Sequence, residues 1–169
     1  MAITTGIHRR AAITAMAATA CAKVLPALNT AEPAPKFHGK TMDGEKFDNE
    51  SLKGQVVLLQ FWTTWCPVCK GDQHAVDTIV RDYADKGLIV LAVDVAESRK
   101  KVRKYLEDSP RSPKIVLTED TNLCAIFEAR SFPLYIVIDK RGNISARQNG
   151  GGGESALRRL LAKAGLDDE

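Results

Sequence analysis

Hydrophobic residues form two nearly continuous runs in the first half of the chain, each with the length of a buried strand. The first covers residues 55–62, and the second covers residues 88–95 with Asp94 as its one charged interruption. Between the runs, apolar side chains recur at the helical spacing i, i+3, i+4 and i+7, namely Val76, Ile79, Val80 and Tyr83. A strand, a helix and a strand in this order predict a parallel crossover.

Shorter periodic segments surround the crossover. Residues 36–47 hold Asp43-Gly44 between two alternating stretches, which predicts a β-hairpin before the first long strand. The later predicted elements are a helix with Val102 and Leu106 on one face, a strand at 115–117, a helix at 122–127, antiparallel strands at 134–139 and 144–148, a flexible glycine run at 150–153 and a helix with Leu157, Leu160, Leu161 and Ala164 on one face. This order predicts one α/β domain, with a central mixed sheet flanked by helices and an N-terminal β-hairpin extension.

The first 22 residues have the pattern of an export signal. They contain no acidic residue, and Arg9-Arg10 precede a short alanine-rich apolar stretch. Cys21 has two interpretations: it is removed with the signal, or it is the lipid-modified first residue of a membrane-tethered mature protein. Residues 23–36 are predicted to be a linker and residues 37–169 the folded domain, in a periplasmic or other extracytoplasmic location.

The charge balance excludes a nucleic-acid partner. The chain has 24 Lys and Arg against 21 Asp and Glu, and removal of the two signal arginines lowers its formal charge from +3 to +1. The densest basic cluster, at residues 99–104, lies on a helical pattern and is interpreted as a solvated helix face. A monomer without cofactor or metal is expected.

The chemistry-bearing motif is Cys66-Pro67-Val68-Cys69, directly after the first long strand. A cysteine at a helix N-terminus has a lowered pKa, so Cys66 is predicted to be a partly exposed nucleophile and Cys69 a more buried resolving thiol. Two cysteines at this spacing are also typical of one half of a zinc site. The other half would have to come from Cys124 and three scattered histidines, which disfavours zinc.

Three features together resemble one family: the lead-in at residues 61–65 with its CxxC, the strand end at residues 93–98, and Phe132-Pro133 before an apolar strand. They are similar to the TlpA and ResA type of thioredoxin-like proteins, which includes cytochrome c maturation reductases. The resemblance covers about residues 37–166 and implies a thioredoxin-like fold. It also implies an exported reductase that takes electrons from a membrane thiol transporter and passes them to disulfides of other exported proteins. Apocytochrome c and metal-site assembly proteins both stay open as substrates.

The resemblance also assigns individual residues. Pro133 matches the cis proline beside the cysteines, and Asp72 matches an acidic position close to the thiols, where either proton transfer or the helix dipole explains a carboxylate. Gln60 stands where ordinary thioredoxins have a buried aspartate. The residues expected to face the substrate are Trp65, Pro67 and Phe132, whereas Trp62 is expected in the core, His74 on the surface and Cys124 as a small buried hydrophobe.

Two other functions are compatible with such a fold. A redoxin-type peroxidase would have a proline and a threonine before its attacking cysteine; Thr63 fits, but Leu59 stands at the proline position. A copper-binding chaperone would use a CxxxC pair and a distal histidine, whereas this chain has two intervening residues and no histidine after His74. The sequence therefore favours disulfide exchange, in the reducing direction.

Overall fold

The computed structural model describes residues 1–2 and 32–167 of the chain. The remainder of the predicted signal, with Cys21, and the first part of the predicted linker lie outside these described residues. Within the described ranges, no helix combines the length and the apolar character needed to cross a membrane.

The described residues form strands and helices in the following chain order: β1 (Glu32–Pro33), β2 (His38–Thr41), β3 (Lys46–Asp48), β4 (Val56–Trp62), α1 (Pro67–Asp82), β5 (Leu88–Asp94), α2 (Arg99–Asp108), β6 (Lys114–Thr121), α3 (Leu123–Ile126), β7 (Leu134–Ile138), β8 (Asn143–Asn149) and α4 (Gly153–Ala162). All strands belong to one sheet in the order β1-β8-β7-β4-β5-β6-β2-β3.

The centre of the sheet is built from the strands that the apolar runs predicted. β4 pairs in parallel with β5, and β5 with β6, while β7 runs antiparallel to β4 on its other side. Every residue of β4 and β7 is buried, which explains their nearly continuous apolar sequences. The β2–β3 hairpin is antiparallel and joins the sheet through β6.

Helices cover both faces of the sheet. On one face, α1 and α4 pack against β4, β5, β7 and β8 through a cluster that includes Val76, Ile79 and Leu157. The other face carries α3 and the hairpin, with Phe47, Phe61 and Phe127 in its cluster. A third cluster at the end of β4 contains both active-site cysteines and Val102 of α2. The packing therefore fixes the start of α1 at one edge of the central strands.

The predicted thioredoxin-like α/β fold, its parallel crossover and its N-terminal hairpin are confirmed. Two boundaries differ from the predictions. Order begins before Phe37, because Glu32–Pro33 forms β1 and pairs with β8 inside the segment predicted as a linker. β6 extends to Thr121 rather than ending near residue 117, because its polar second half pairs with β2.

Candidate active site

The N-terminus of α1 carries both cysteines of the motif. Cys66 is the N-cap residue and Pro67 takes the first helical turn, where its missing N–H costs no hydrogen bond. The backbone N–H of Cys69 donates a hydrogen bond to the Sγ of Cys66 at 3.1 Å. This N–H and the helix dipole would both stabilise a thiolate on Cys66, which gives a geometric basis for its predicted role as the nucleophile.

Cys66 and Cys69 are joined by a disulfide, with 5.3 Å between their Cα atoms. The two residues are almost equally buried, at 3% and 2% exposure, so the prediction that Cys66 is partly exposed is wrong. The physical reason is the packing around them, since Phe132 and Trp62 share an apolar cluster with both cysteines.

An apolar rim surrounds the disulfide, and it consists of Trp65, Pro67, Val68 and Phe132. Trp65 is 61% exposed and Val68 is 49% exposed, while the rings of Trp65 and Phe132 meet edge to face at 6.1 Å. The Phe132–Pro133 peptide bond is cis, as the resemblance implied, and Pro133 is buried behind the rim. Exposed apolar groups clustered at one place are typical of a surface that contacts a partner.

Asp72 lies one turn beyond Cys69 and is 7% exposed. Its carboxylate accepts hydrogen bonds from the Tyr135 hydroxyl at 3.0 Å and from the N–H groups of Gly152 and Gly153 at 3.2 and 3.1 Å. Because these glycines form the N-terminus of α4, Asp72 caps a second helix from within α1. None of these bonds reaches a cysteine, and proton transfer by Asp72 stays a prediction.

The glycine run predicted as flexible has a defined role in this arrangement. A Cβ atom at Gly151 would lie 2.7 Å from Cγ1 of Val68 and about as close to the Asp72 carboxylate, at 3.0 Å. Gly153 has a φ of 64°, a conformation that side chains rarely tolerate. The run therefore lies directly against the start of α1, where only glycine allows the backbone to approach Asp72.

A chain of polar groups continues from Asp72 across the sheet. The hydroxyl of Tyr135 accepts a hydrogen bond from Nε2 of Gln60 at 3.1 Å, and Oε1 of Gln60 accepts one from the Arg111 guanidinium at 2.6 Å. The guanidinium also lies over the ring of Trp62, 4.3 Å from its centroid. Every donor in this chain points toward Asp72, so the cation and the carboxylate are linked through two neutral side chains.

The surroundings of this chain shift the ionisation of its members. Burial raises the pKa of Tyr135, and the neighbouring Asp72 raises it further, so its hydroxyl stays a donor. Burial lowers the pKa of Arg111. Sequence reasoning placed Gln60 but missed Tyr135 and Arg111. The tyrosine within an otherwise apolar strand was the available signal, because a buried hydroxyl needs a partner. Arg111 lies in a loop with no periodic pattern.

Other residues considered from the sequence lie where expected or nearby. Trp62 is 1% exposed in the core, and His74 is exposed on α1. Cys124 is half-buried on α3, with its Sγ 3.5 Å from the Thr118 hydroxyl, and burial raises the pKa of its thiol. A raised pKa disfavours the thiolate, so this cysteine has the character of a packing residue.

The disulfide, the cis proline and the sheet order together can be compared with known proteins. Residues 30–147 match the model of the AhpC/TSA family. The chain belongs to this family. One relative, the thioredoxin-like protein YneN of Bacillus subtilis, is 34% identical over 116 residues, which cover 67% of this chain and 67% of YneN. The thiol-disulfide oxidoreductase ResA of Bacillus cereus is 26% identical over 111 residues, covering 66% of this chain and 64% of ResA.

A solved structure gives the same result for the fold. A thiol:disulfide interchange protein of the thioredoxin family from Chlorobium tepidum superposes with a TM-score of 0.69 at 27% identity, over 79% of this chain and 96% of that one. The chain spans about two thirds of the length of the two Bacillus relatives. The described domain thus has the fold and the dithiol pair of a thiol-disulfide oxidoreductase, related to the ResA type.

Proposed function

We propose that this chain is an exported reductase that transfers electrons from its Cys66–Cys69 dithiol to disulfides of other exported proteins. The observation that carries the proposal is a disulfide at the N-terminus of α1 that packs with Phe132, the residue before the cis Pro133, next to the exposed Trp65 and Val68. An extended polypeptide could lie along this rim with its own disulfide next to Cys66. Export rests on the acid-free, arginine-led N-terminus.

The proposed reaction proceeds by two exchanges. The Cys66 thiolate attacks one sulfur of the substrate disulfide, which forms a mixed disulfide and releases the other substrate sulfur as a thiolate. Cys69 then loses its proton and attacks the Sγ of Cys66, which closes the Cys66–Cys69 bond and frees the second substrate thiol. The substrate has gained two electrons. A membrane thiol transporter is the proposed donor that reduces the pair again.

Each site residue has a role in this proposal. Trp65, Pro67 and Phe132 bind the substrate chain, and Pro133 presents its backbone to it. Asp72 places a negative charge near the thiols, where it disfavours the thiolate. Because a stabilised thiolate makes a dithiol more oxidising, this charge favours the reducing direction. Pro67 and Val68, the residues between the cysteines, add no positive charge that would oppose it.

Trapping tests the substrate class. A Cys69→Ser variant cannot resolve the mixed disulfide, so it should accumulate covalent adducts with exported proteins, whereas the Cys66→Ser variant should form none. Adducts formed equally by both variants, or through Cys124, would show that the assignment of roles is wrong. Alkylation of the reduced protein at mildly acidic pH should label Cys66 first, because its thiolate is stabilised relative to a free pKa of about 8.5.

The redox potential of the Cys66–Cys69 pair tests the direction of electron flow. Equilibration with glutathione buffers should give a potential toward the reducing end of the range from about −270 mV for thioredoxin to about −120 mV for the strongest oxidant. A value above about −150 mV would contradict the reductase proposal. Hydrogen peroxide consumption by the reduced protein tests the peroxidase alternative. Copper titration of the reduced protein tests the copper-chaperone alternative.

A further inference from the structure

Glu97, in the loop after β5, is hydrogen-bonded to Thr64, in the loop that precedes Cys66. The carboxylate of Glu97 accepts two hydrogen bonds from Thr64, one from its backbone N–H at 2.6 Å and one from its hydroxyl at 2.8 Å. The Glu97 side chain is 4% exposed, and Thr64 is 7% exposed. Lys101, one turn into α2, donates a further bond to Glu97 at 2.6 Å. Both oxygens of the carboxylate are therefore in use at a buried position.

A second carboxyl group lies beneath this contact. Asp94 is fully buried, and its oxygens receive no hydrogen bond from the amides, hydroxyls or cations of the described residues. Burial raises the pKa of Asp94 to about 8, and the nearby Glu97 carboxylate raises it further. Burial also opposes ionisation of Glu97, but bonds from Asp94, Lys101 and Thr64 outweigh it and lower that pKa to about 2. These opposite shifts favour the protonated form of Asp94 and the ionised form of Glu97.

The backbone between the two carboxyl groups is strained. Ala96 has a φ of 61°, in the left-handed region that a residue with a Cβ rarely adopts. Its N–H donates to the Thr118 hydroxyl at 3.0 Å, and that hydroxyl donates to the carbonyl oxygen of Asp94 at 2.7 Å. Backbone strain that neighbouring groups hold in place is concentrated at functional sites in proteins. In this protein, the strained residue Ala96 directly precedes Glu97, which bonds to Thr64.

We propose that Glu97 is a positioning residue for substrate docking, which fixes the Thr64–Trp65 segment so that the apolar rim keeps its shape. This inference rests on the proposed function, since it concerns the same disulfide. Thr64 is adjacent to Trp65, and Trp65 supplies the largest exposed apolar surface of the rim. Glu97 touches neither cysteine in the described hydrogen bonds, so its effect is on binding of a polypeptide rather than on sulfur chemistry.

Two disulfide substrates of different size distinguish an effect on polypeptide binding from an effect on thiol reactivity. Insulin is a polypeptide that would dock on the proposed rim, whereas the aromatic disulfide 5,5′-dithiobis(2-nitrobenzoate) reacts with the thiolate without a polypeptide contact. In Glu97→Ala, the KM for insulin should rise about tenfold, because two hydrogen bonds to a charged group are lost. Its kcat, and the rate with the small disulfide, should stay within about twofold of the unchanged protein. Glu97→Gln keeps one acceptor and should give a smaller rise in KM.

Controls guard against a general loss of structure. Asp82→Ala removes a carboxylate that binds Arg158 at the far end of α1, and it should leave the reaction with both substrates unaffected. Thr64→Val keeps the shape and the backbone N–H but removes the hydroxyl donor, so it tests the contact even where Glu97→Ala folds poorly. The double variant Thr64→Val/Glu97→Ala should be no worse than Glu97→Ala alone, since both changes break the same contact.

Two results would overturn the inference. An equal loss with insulin and with the small disulfide would mean that Glu97 acts on thiol reactivity, and an unchanged KM for insulin would mean that the contact does not position the rim. A wild-type protein that reacts with neither disulfide would instead remove the proposed function on which the inference rests.

Discussion

Two buried tyrosines, each close to an arginine, lie near opposite ends of α1, and their partners differ. At the far end, Tyr83 is 1% exposed and Arg158 lies over its ring, while this arginine also pairs with Asp82 and Glu154. At the active-site end, Tyr135 donates to Asp72, and the Arg111 guanidinium reaches it only through the neutral Gln60. The cation at the far end is neutralised near the surface by two carboxylates, whereas the opposite charges at the active-site end are separated by Gln60 and Tyr135.

From this difference we predict that the contact at the far end serves stability alone, whereas the contact at the active-site end also influences the thiols. A surface ion pair contributes little and is screened by salt. A buried charge that is linked through neutral groups acts over several ångströms in a medium of low dielectric constant. We therefore predict that Asp72, one turn from Cys69, influences the thiols and that Asp82, at the far end of α1, does not. Matched changes at the two ends of α1 test this comparison.

The largest effect is expected from the carboxylates. Asp72→Asn removes a negative charge near the thiols, so it should lower the pKa of Cys66 and raise the redox potential by about 30 mV, which corresponds to roughly one pKa unit. It should also weaken the capping of α4, because an amide nitrogen then faces one of the three donors, at a cost of about 2 kcal/mol. Glutathione equilibration and denaturant unfolding measure the two quantities.

The matched control is Asp82→Asn at the far end of the same helix. It loses an ion pair with Arg158, which is expected to cost less than about 1 kcal/mol. Its redox potential and its Cys66 pKa should equal those of the unchanged protein. Equal potentials for both asparagine variants would show that the Asp72 carboxylate has only a structural role.

An effect on stability without a change of charge is expected from the tyrosines. Tyr135→Phe leaves Nε2 of the fully buried Gln60 without its acceptor, and this should lower the free energy of unfolding by about 1–3 kcal/mol. Tyr83→Phe should cost less than about 1 kcal/mol, since Arg158 keeps its carboxylate partners. Urea denaturation of both variants at one pH makes the comparison. A loss for Tyr83→Phe as large as that for Tyr135→Phe would contradict the proposed difference between the two ends.

The sequence predicted the elements that single patterns encode. β4 and α1 were predictable because a fully buried strand is apolar throughout and a helix with one buried face repeats its apolar residues. The cis Pro133 followed from the family resemblance. β1 was missed, because Glu32–Pro33 has neither apolar alternation nor length.

The contacts that shape the site were beyond sequence patterns. Asp72 meets Gly152 across 80 residues of chain, and Glu97 meets Thr64 across 33. Such pairs depend on which strand ends and loops the topology brings together, and no local spacing encodes them. The burial of Cys66 was missed for the same reason, since it depends on packing against Phe132.

A pH-dependent effect concerns a buried carboxyl at the active-site end, in contrast to the half-exposed Asp82. The folded protein holds the Asp94 proton up to a pKa of about 8, whereas an unfolded aspartate releases it near 3.8. Between these values the folded state binds more protons, so this group makes stability fall as the pH rises. Asp94→Asn carries no such proton. Its free energy of unfolding relative to the unchanged protein should therefore increase from pH 4 toward pH 8, by at most about 1.4 kcal/mol per pH unit. Urea denaturation at a series of pH values measures this difference, with Asp82→Asn as the control that should show no such trend. A difference between Asp94→Asn and the unchanged protein that stays constant over this range would mean that Asp94 ionises normally in the folded state and holds no proton for Glu97.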